Sequence, residues 1–307
     1  MEDIDVLDFY CKRERGKQMN LKKKIGAALT AVCILGGASV FAETPAVQTG
    51  GMTAAGSPAV SEMRSKQQMA DQEVMALLWM RTSAEYRALC YQGYNMALAE
   101  VNKALADRAE KGKPPAIVLD CDETVLDNTP AMGAEAAGGN GLYTSPWWRD
   151  TIRRGESLAM PGAAEFLQEV DKKGVAIFYV SNRYGAYNYD ATEKNLKELH
   201  FPQADPEHIL LMADSSNKQI RYDRIAKDYD IILYMGDNAE DLPIGINGKS
   251  MEERAKIMDE NQKNFGTRYI LFPNPAYGSW VRALAKGYMT MTPEERDAVN
   301  RMLLERK

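Results

Sequence analysis

With 307 residues, 45% of them hydrophobic and 26% charged, the chain is long and apolar enough for a soluble globular fold with a sizeable core. Its formal net charge is −5, and residues 1–42 hold seven Lys/Arg against five Asp/Glu, so the remainder is more acidic still. That balance, with no basic block beyond those residues, argues against a nucleic acid polymer as partner.

Residues 1–18 are polar and mixed in charge, and read as an upstream extension. From Met19 the chain runs through Lys22-Lys23-Lys24 into an apolar stretch, Ile25 to Phe41, that closes on Val40-Phe41-Ala42. A basic start, a short apolar core and an A-x-A-like exit predict a signal peptide over residues 19–42. The expected location is therefore the periplasm or the medium, after cleavage near Ala42. The alternative is an outer-membrane lipoprotein anchored at Cys33, the one route to a membrane partner; Thr30-Ala31-Val32 places Val where lipid attachment wants a small residue. Residues 43–60 are rich in Ala, Gly, Thr, Ser and Pro and read as a flexible tether, followed by a folded domain over 61–307. Of the cysteines beyond Ala42, Cys90 and Cys121, neither is expected to form a bridge, because Cys121 lies between two aspartates whose geometry a bridge would distort.

Residues 61–111 contain no proline and repeat apolar residues at helical spacing, for example Val74, Leu77 and Leu78, then Tyr86, Leu89 and Cys90. Two or three long helices are predicted there. Past Pro114-Pro115 the texture changes to short apolar runs: Ala116–Leu119, Val175–Val180, Ile209–Met212, Ile231–Met235 and Tyr269–Phe272. Amphipathic stretches such as Ala163–Lys172 and Ala191–Leu199 lie between them. Strand and helix in alternation predict an α/β fold with a parallel sheet covered on both faces, whose ligands bind at the carboxyl ends of the strands. The segment 127–160 breaks the rhythm with Gly138-Gly139, Pro146, Tyr143, Trp147 and Trp148, and is expected as an insertion over the site. Together with the N-terminal helices (61–113) it would supply helical or cap elements.

Four polar clusters follow apolar runs. The first is Asp120-Cys121-Asp122-Glu123-Thr124, the second Ser181-Asn182-Arg183. Lys218 comes third, after Ser215-Ser216-Asn217, and Gly236-Asp237-Asn238-Ala239-Glu240-Asp241 is the fourth. In extended backbone residues i and i+2 share a side, so Asp120 and Asp122 leave the strand together. Two carboxylates that close repel unless a cation lies near them. One carboxylate as nucleophile, one as proton carrier and Mg²⁺ as counterion is an arrangement suited to that pair.

In order and content these clusters resemble the four motifs of the haloacid-dehalogenase-like phosphohydrolases. Asp120/Asp122 with Asp237/Asp241 is similar to the four-aspartate signature of the class C acid phosphatases, the lipoprotein e or 5′-nucleotidase group. The likeness runs from about Gln72 to Trp280 and includes Glu85-Tyr86-Arg87-Ala88-Leu89 and Asn274-Pro275-Ala276-Tyr277-Gly278-Ser279-Trp280. It departs at Cys33 and in the Gly/Ala stretch before Trp147. The resemblance implies a Rossmannoid parallel sheet and an Mg²⁺-dependent phosphomonoesterase. It also implies metal ligation by the Asp120 carboxylate, the Asp122 main-chain carbonyl and Asp237, with Asp241 behind them. Asp120 would attack phosphorus and form an aspartyl-phosphate, while Asp122 protonates the leaving oxygen and then deprotonates water. Ser181, the backbone around Asn182, Lys218 and, less directly, Arg183 would hold phosphoryl oxygens. Tyr277, Trp147, Trp148 and Tyr143 are candidates to stack on a nucleobase, which favours nucleoside 5′-monophosphates as substrate.

Other chemistries are excluded by residue content. Positions six and twelve from Asp120 are Val125 and Ala131, where a calcium loop needs Gly and Glu. His200 and His208 are too few and too isolated for a phosphohistidine or zinc site, and neither Cys90 nor Cys121 has an Arg six residues on. Two alternatives stay open: a phosphotransferase using the same intermediate, and an exported binding or adhesion protein without turnover.

Overall fold

The computed structural model describes residues 58–108, 112–140 and 144–305, with side chains from residue 67. The signal peptide, Cys33, residues 43–57 of the tether and Tyr143 lie outside the described residues.

Two long helices come first, α1 (Pro58–Thr82) and α2 (Ala84–Ala106). The first begins three residues inside the stretch read as tether, with Pro58 at the start, where its fixed φ suits a first helical turn. Ser83 separates the two and caps α2, its hydroxyl accepting from the Tyr86 amide at 3.0 Å.

The sheet is built from β1 (Pro115–Leu119), β4 (Ala176–Tyr184), β5 (Ile209–Met212), β6 (Asp230–Gly236) and β7 (Tyr269–Leu271). Its order is β5-β4-β1-β6-β7, and every pairing is parallel. The apolar runs are buried on both faces, and alternate residues divide between two cores. Ile117, Leu119, Ile177, Tyr179, Leu233 and Met235 face one core with α2 and α5 (Ala163–Lys172). Ala116, Val118, Phe178, Val180 and Tyr234 face the other, shared with Tyr222 and Ile225 of α7 (Gln219–Ile225). This period of two is what a doubly covered parallel sheet demands.

Between β1 and α5 lies the insertion. It holds the short antiparallel pair β2 (Leu126–Asp127) and β3 (Leu158–Ala159), with α3 (Thr129–Ala137) and α4 (Ser145–Arg154) between them. Helix α3 packs on α1, and α4 packs on α6 (Gly185–Glu198). The C-terminal part adds α8 (Met251–Glu260), α9 (Ser279–Ala283) and α10 (Pro293–Glu305), the last resting on α1. Cys90 and Cys121 are both buried and free.

One strand differs from expectation. β4 continues through Ser181-Asn182-Arg183 to Tyr184, with a shift in its register against β5 between Ser181 and Tyr184. The irregular stretch re-aims its side chains where a regular strand would have ended in a turn.

Candidate active site

The Asp120 amide extends the ladder beyond β1 by donating to the Met235 carbonyl at 3.0 Å. Immediately afterwards the chain doubles back. The Cys121 carbonyl accepts from the amides of Val125 (2.9 Å) and Leu126 (2.8 Å), and Glu123 takes a left-handed φ of 50°. A non-glycine residue there is strained, which the surrounding hydrogen bonds must over-determine. The Tyr94 hydroxyl, reaching up from α2, donates to the Thr124 carbonyl and closes the turn. Asp120 and Asp122 are thereby fixed at the carboxyl end of the central strand.

Lys218, at the start of α7, is 1% exposed. Its Nζ lies 2.5 Å from Asp120 Oδ1 and 2.7 Å from Asp241 Oδ1. Asp241 ends a short 3-10 turn, Ala239–Asp241, and its other oxygen accepts from the Asn238 amide at 2.9 Å. Asp237 accepts from the Asn274 side-chain amide at 2.7 Å and from the Thr124 hydroxyl at 3.4 Å. Gly236 permits this closeness: a Cβ there would lie 2.4 Å from Asp241 Cβ.

Oxygens of Asp120, Asp237 and Asp241 fall within 4.8 Å of one another. Three carboxylates against a single lysine leave negative charge uncompensated in a poorly solvated place. Burial pushes the Asp120 carboxyl up to about 7, against the pull of Lys218. Burial, then Asp241 and Asp120, push Asp237 well above the carboxylate range. Burial also opposes charge on Lys218, yet Asp120 and Asp241 outweigh it and keep the ammonium protonated. Converging hard oxygen donors with excess negative charge fit a divalent cation.

Asp122 sits in a different environment. Arg183 grips it through Nη2 at 2.6 Å and Nε at 3.1 Å, and the Asn128 side-chain Nδ2 donates to the same carboxylate at 2.8 Å. Arg183 also donates to Thr192 at 3.2 Å and is itself 1% exposed. Arg183, expected beside the phosphate, is thus engaged by Asp122 and Thr192. Burial opposes its charge, and Asp122 more than offsets that.

Ser181 and Asn182 do reach the cleft. Arg221 holds them there, donating to the Ser181 carbonyl at 2.6 Å and to the Asn182 side chain at 2.5 Å, while Asn182 donates to the Ser216 carbonyl at 2.9 Å. Asp120, Asp122, Ser181, Asn182, Lys218, Asp237 and Asp241 therefore border one cleft of about 980 Å³. Trp147, Trp148 and Tyr277 border it too, with the Trp148 and Tyr277 rings 6.4 Å apart.

Several supporting residues escaped the sequence reading. Glu123 is wholly buried, and burial followed by the neighbouring Asp122 pushes its carboxyl up to about 8. It accepts from the Asn128 amide at 2.8 Å and from the Tyr277 hydroxyl. Asn128, Asn274 and Arg221 work from outside the four clusters. Asn274 was within reach, since it opens the segment Asn274-Pro275-Ala276-Tyr277 already singled out.

Residues 43–280 match the family described as HAD superfamily, subfamily IIIB (acid phosphatase). Among solved structures, the class C acid phosphatase from Bacillus anthracis is 40% identical, with a TM-score of 0.72 over 78% of this chain and 99% of that one. The same enzyme with tungstate bound gives 39% identity and a TM-score of 0.71, covering 78% and 98% of the two chains. With the four clusters gathered at one end of the sheet and these likenesses spanning the domain that carries them, the chain belongs to HAD subfamily IIIB, as a class C acid phosphatase that hydrolyses phosphomonoesters.

Proposed function

We propose that the protein is an exported, Mg²⁺-dependent phosphomonoesterase that acts on nucleoside 5′-monophosphates through an aspartyl-phosphate on Asp120. The observation that carries this reading is the different setting of the two neighbouring carboxylates. Asp120 shares its space with Asp237, Asp241 and Lys218, whereas Asp122 is held apart by Arg183 and Asn128. In this reading Asp120 attacks phosphorus and Asp122 carries the proton.

Bound beside Asp120 and Asp237, Mg²⁺ would neutralise carboxylate and phosphate charge that otherwise repel. The main-chain carbonyl of Asp122 completes its protein ligands in this reading, and Asp241 orients Lys218. A phosphoryl group enters with its oxygens towards Lys218, Ser181 and the backbone at Asn182. Asp120 attacks phosphorus as the bond to the leaving oxygen breaks, and Asp122 delivers a proton to that oxygen. Asp122 then takes a proton from the water that attacks phosphorus, releasing phosphate and freeing Asp120. The tungstate of the Bacillus anthracis enzyme, a tetrahedral oxyanion, supports such a pocket by analogy.

Tyr277, Trp147 and Trp148 face the leaving group in this reading, and base stacking worth about 1–3 kcal/mol would favour nucleotides over aliphatic esters. Export rests on the segment Met19 to Ala42. The test is a panel of phosphomonoesters assayed with Mg²⁺, beside Asp120→Asn. Activity should be abolished by EDTA, restored by Mg²⁺, and reduced by roughly 10³-fold or more in the variant. An Asp120→Asn protein that keeps most of its rate would sink the mechanism.

A further inference from the structure

Glu123 is a buried carboxyl that none of these steps uses, held by a backbone that most side chains avoid. We infer that Glu123 is a positioning residue for the leaving group, acting through the ring of Tyr277. The inference rests on the proposal that Tyr277 contacts the leaving group.

Both Glu123 oxygens are engaged. One accepts from the Asn128 amide at 2.8 Å and the other from the Tyr277 hydroxyl, 154 residues away in sequence. Tyr277 belongs to a loop, not to a helix or strand, and its ring lies 6.4 Å from that of Trp148 on α4. Its amide donates to Asn274 at 3.3 Å, which sets the loop, while the hydroxyl bond to Glu123 sets the far end of the side chain. Asn128 is braced in turn by the Ser157 hydroxyl at 2.6 Å and donates to Asp122 at 2.8 Å. The anchor for the ring is therefore built on the turn that carries Asp120 and Asp122. Glu123 makes these contacts from a backbone with a left-handed φ of 50°. A ring tied at both ends can stack on a flat leaving group without first losing rotamer freedom, the advantage of preorganisation. A small aliphatic leaving group gains nothing from it.

The experiment compares KM and kcat for a nucleoside 5′-monophosphate and for glycerol 2-phosphate in wild type, Glu123→Met, Tyr277→Phe, the double variant and Tyr277→Ala; Met keeps the side-chain length and removes both acceptor oxygens. Glu123→Met and Tyr277→Phe should each raise KM for the nucleotide by about 3–10-fold, the worth of one hydrogen bond. KM for glycerol 2-phosphate should stay within about twofold. The double variant should be no worse than the poorer single one, because both changes delete the same link. A shared fall in kcat through Asn128 and Asp122 leaves the KM ratio untouched, which separates positioning from a general structural role. Equal losses for both substrates, or losses that add in the double variant, would overturn the inference. If Tyr277→Ala alters the KM ratio but neither Glu123→Met nor Tyr277→Phe does, stacking stands and the positioning role is lost. If Tyr277→Ala leaves the ratio unchanged, both are lost. Should Glu123→Met fail to fold, Tyr277→Phe removes the same bond from its other partner and decides alone.

Discussion

At Gly236 the site depends on a missing atom. A methyl group there would press within 2.4 Å of Asp241 Cβ, which is tied to its backbone and cannot swing away. Gly236→Ala should therefore displace Asp241, and with it Lys218, lowering kcat by roughly 10²-fold. Overpacking adds a stability cost of about 1–3 kcal/mol. Steady-state kinetics and urea unfolding would check both, and near-wild-type values for the pair would refute the close packing. The residue scale also shows what a sequence hides. Asp120, Asp122 and Asp237 were legible because each follows an apolar run at a strand end. The duty of Arg183 was not, because adjacency to Ser181 suggests a phosphate contact whereas the irregular end of β4 turns its guanidinium behind Asp122. Glu123 was hidden for a different reason, since its partner Tyr277 is remote in the chain.

Among the elements, five strands were readable from short apolar runs, and α5 from an amphipathic pattern that matches its observed bounds. Strands β2 and β3 were not, because two residues carry no periodicity. Helix α5 also shows how scaffold and chemistry separate. It begins after Gly162, at φ 90°, where a Cβ would meet the Tyr91 ring at 2.9 Å, and it buries Phe166, Leu167 and Val170 beside α2. Leu167 is fully buried. Leu167→Ala should cost about 2–5 kcal/mol in unfolding free energy, through lost transfer energy and the cavity left behind. Activity per folded molecule should stay within about twofold, since the helix contributes no group to the cleft. Denaturant titration alongside kcat would test this, and a large fall in kcat at full folding would show that the sheet end is not insulated from the core.

Over the whole molecule, buried acids govern how the fold responds to pH. Burial raises Asp120 from 3.8 to about 7, and Glu123 from 4.5 to about 8. Glu73, on α1 at the cleft, goes from 4.5 to about 7 by burial, with Arg296 opposing. A carboxyl whose pKa is higher when folded than when unfolded binds its proton more tightly in the native state. Its stabilising effect is complete below the unfolded pKa and is lost as pH rises through the folded one. The metal-free protein should therefore melt at progressively lower temperature from about pH 4 to about pH 8. Mg²⁺ should flatten that slope by replacing protons with a cation. Thermal melts of EDTA-treated protein across this range would show it, and a melting temperature that climbs with pH would contradict it. A last consequence follows from the strand order. Lys218 meets Asp120 over a sequence separation of 98, and Thr124 meets Asp237 over one of 113. Because β6 comes late in the chain yet sits beside the earliest strand of the sheet, a leading fragment that ends before it lacks Asp237 and Asp241. A nascent polypeptide should therefore stay chemically silent until that strand has slotted home.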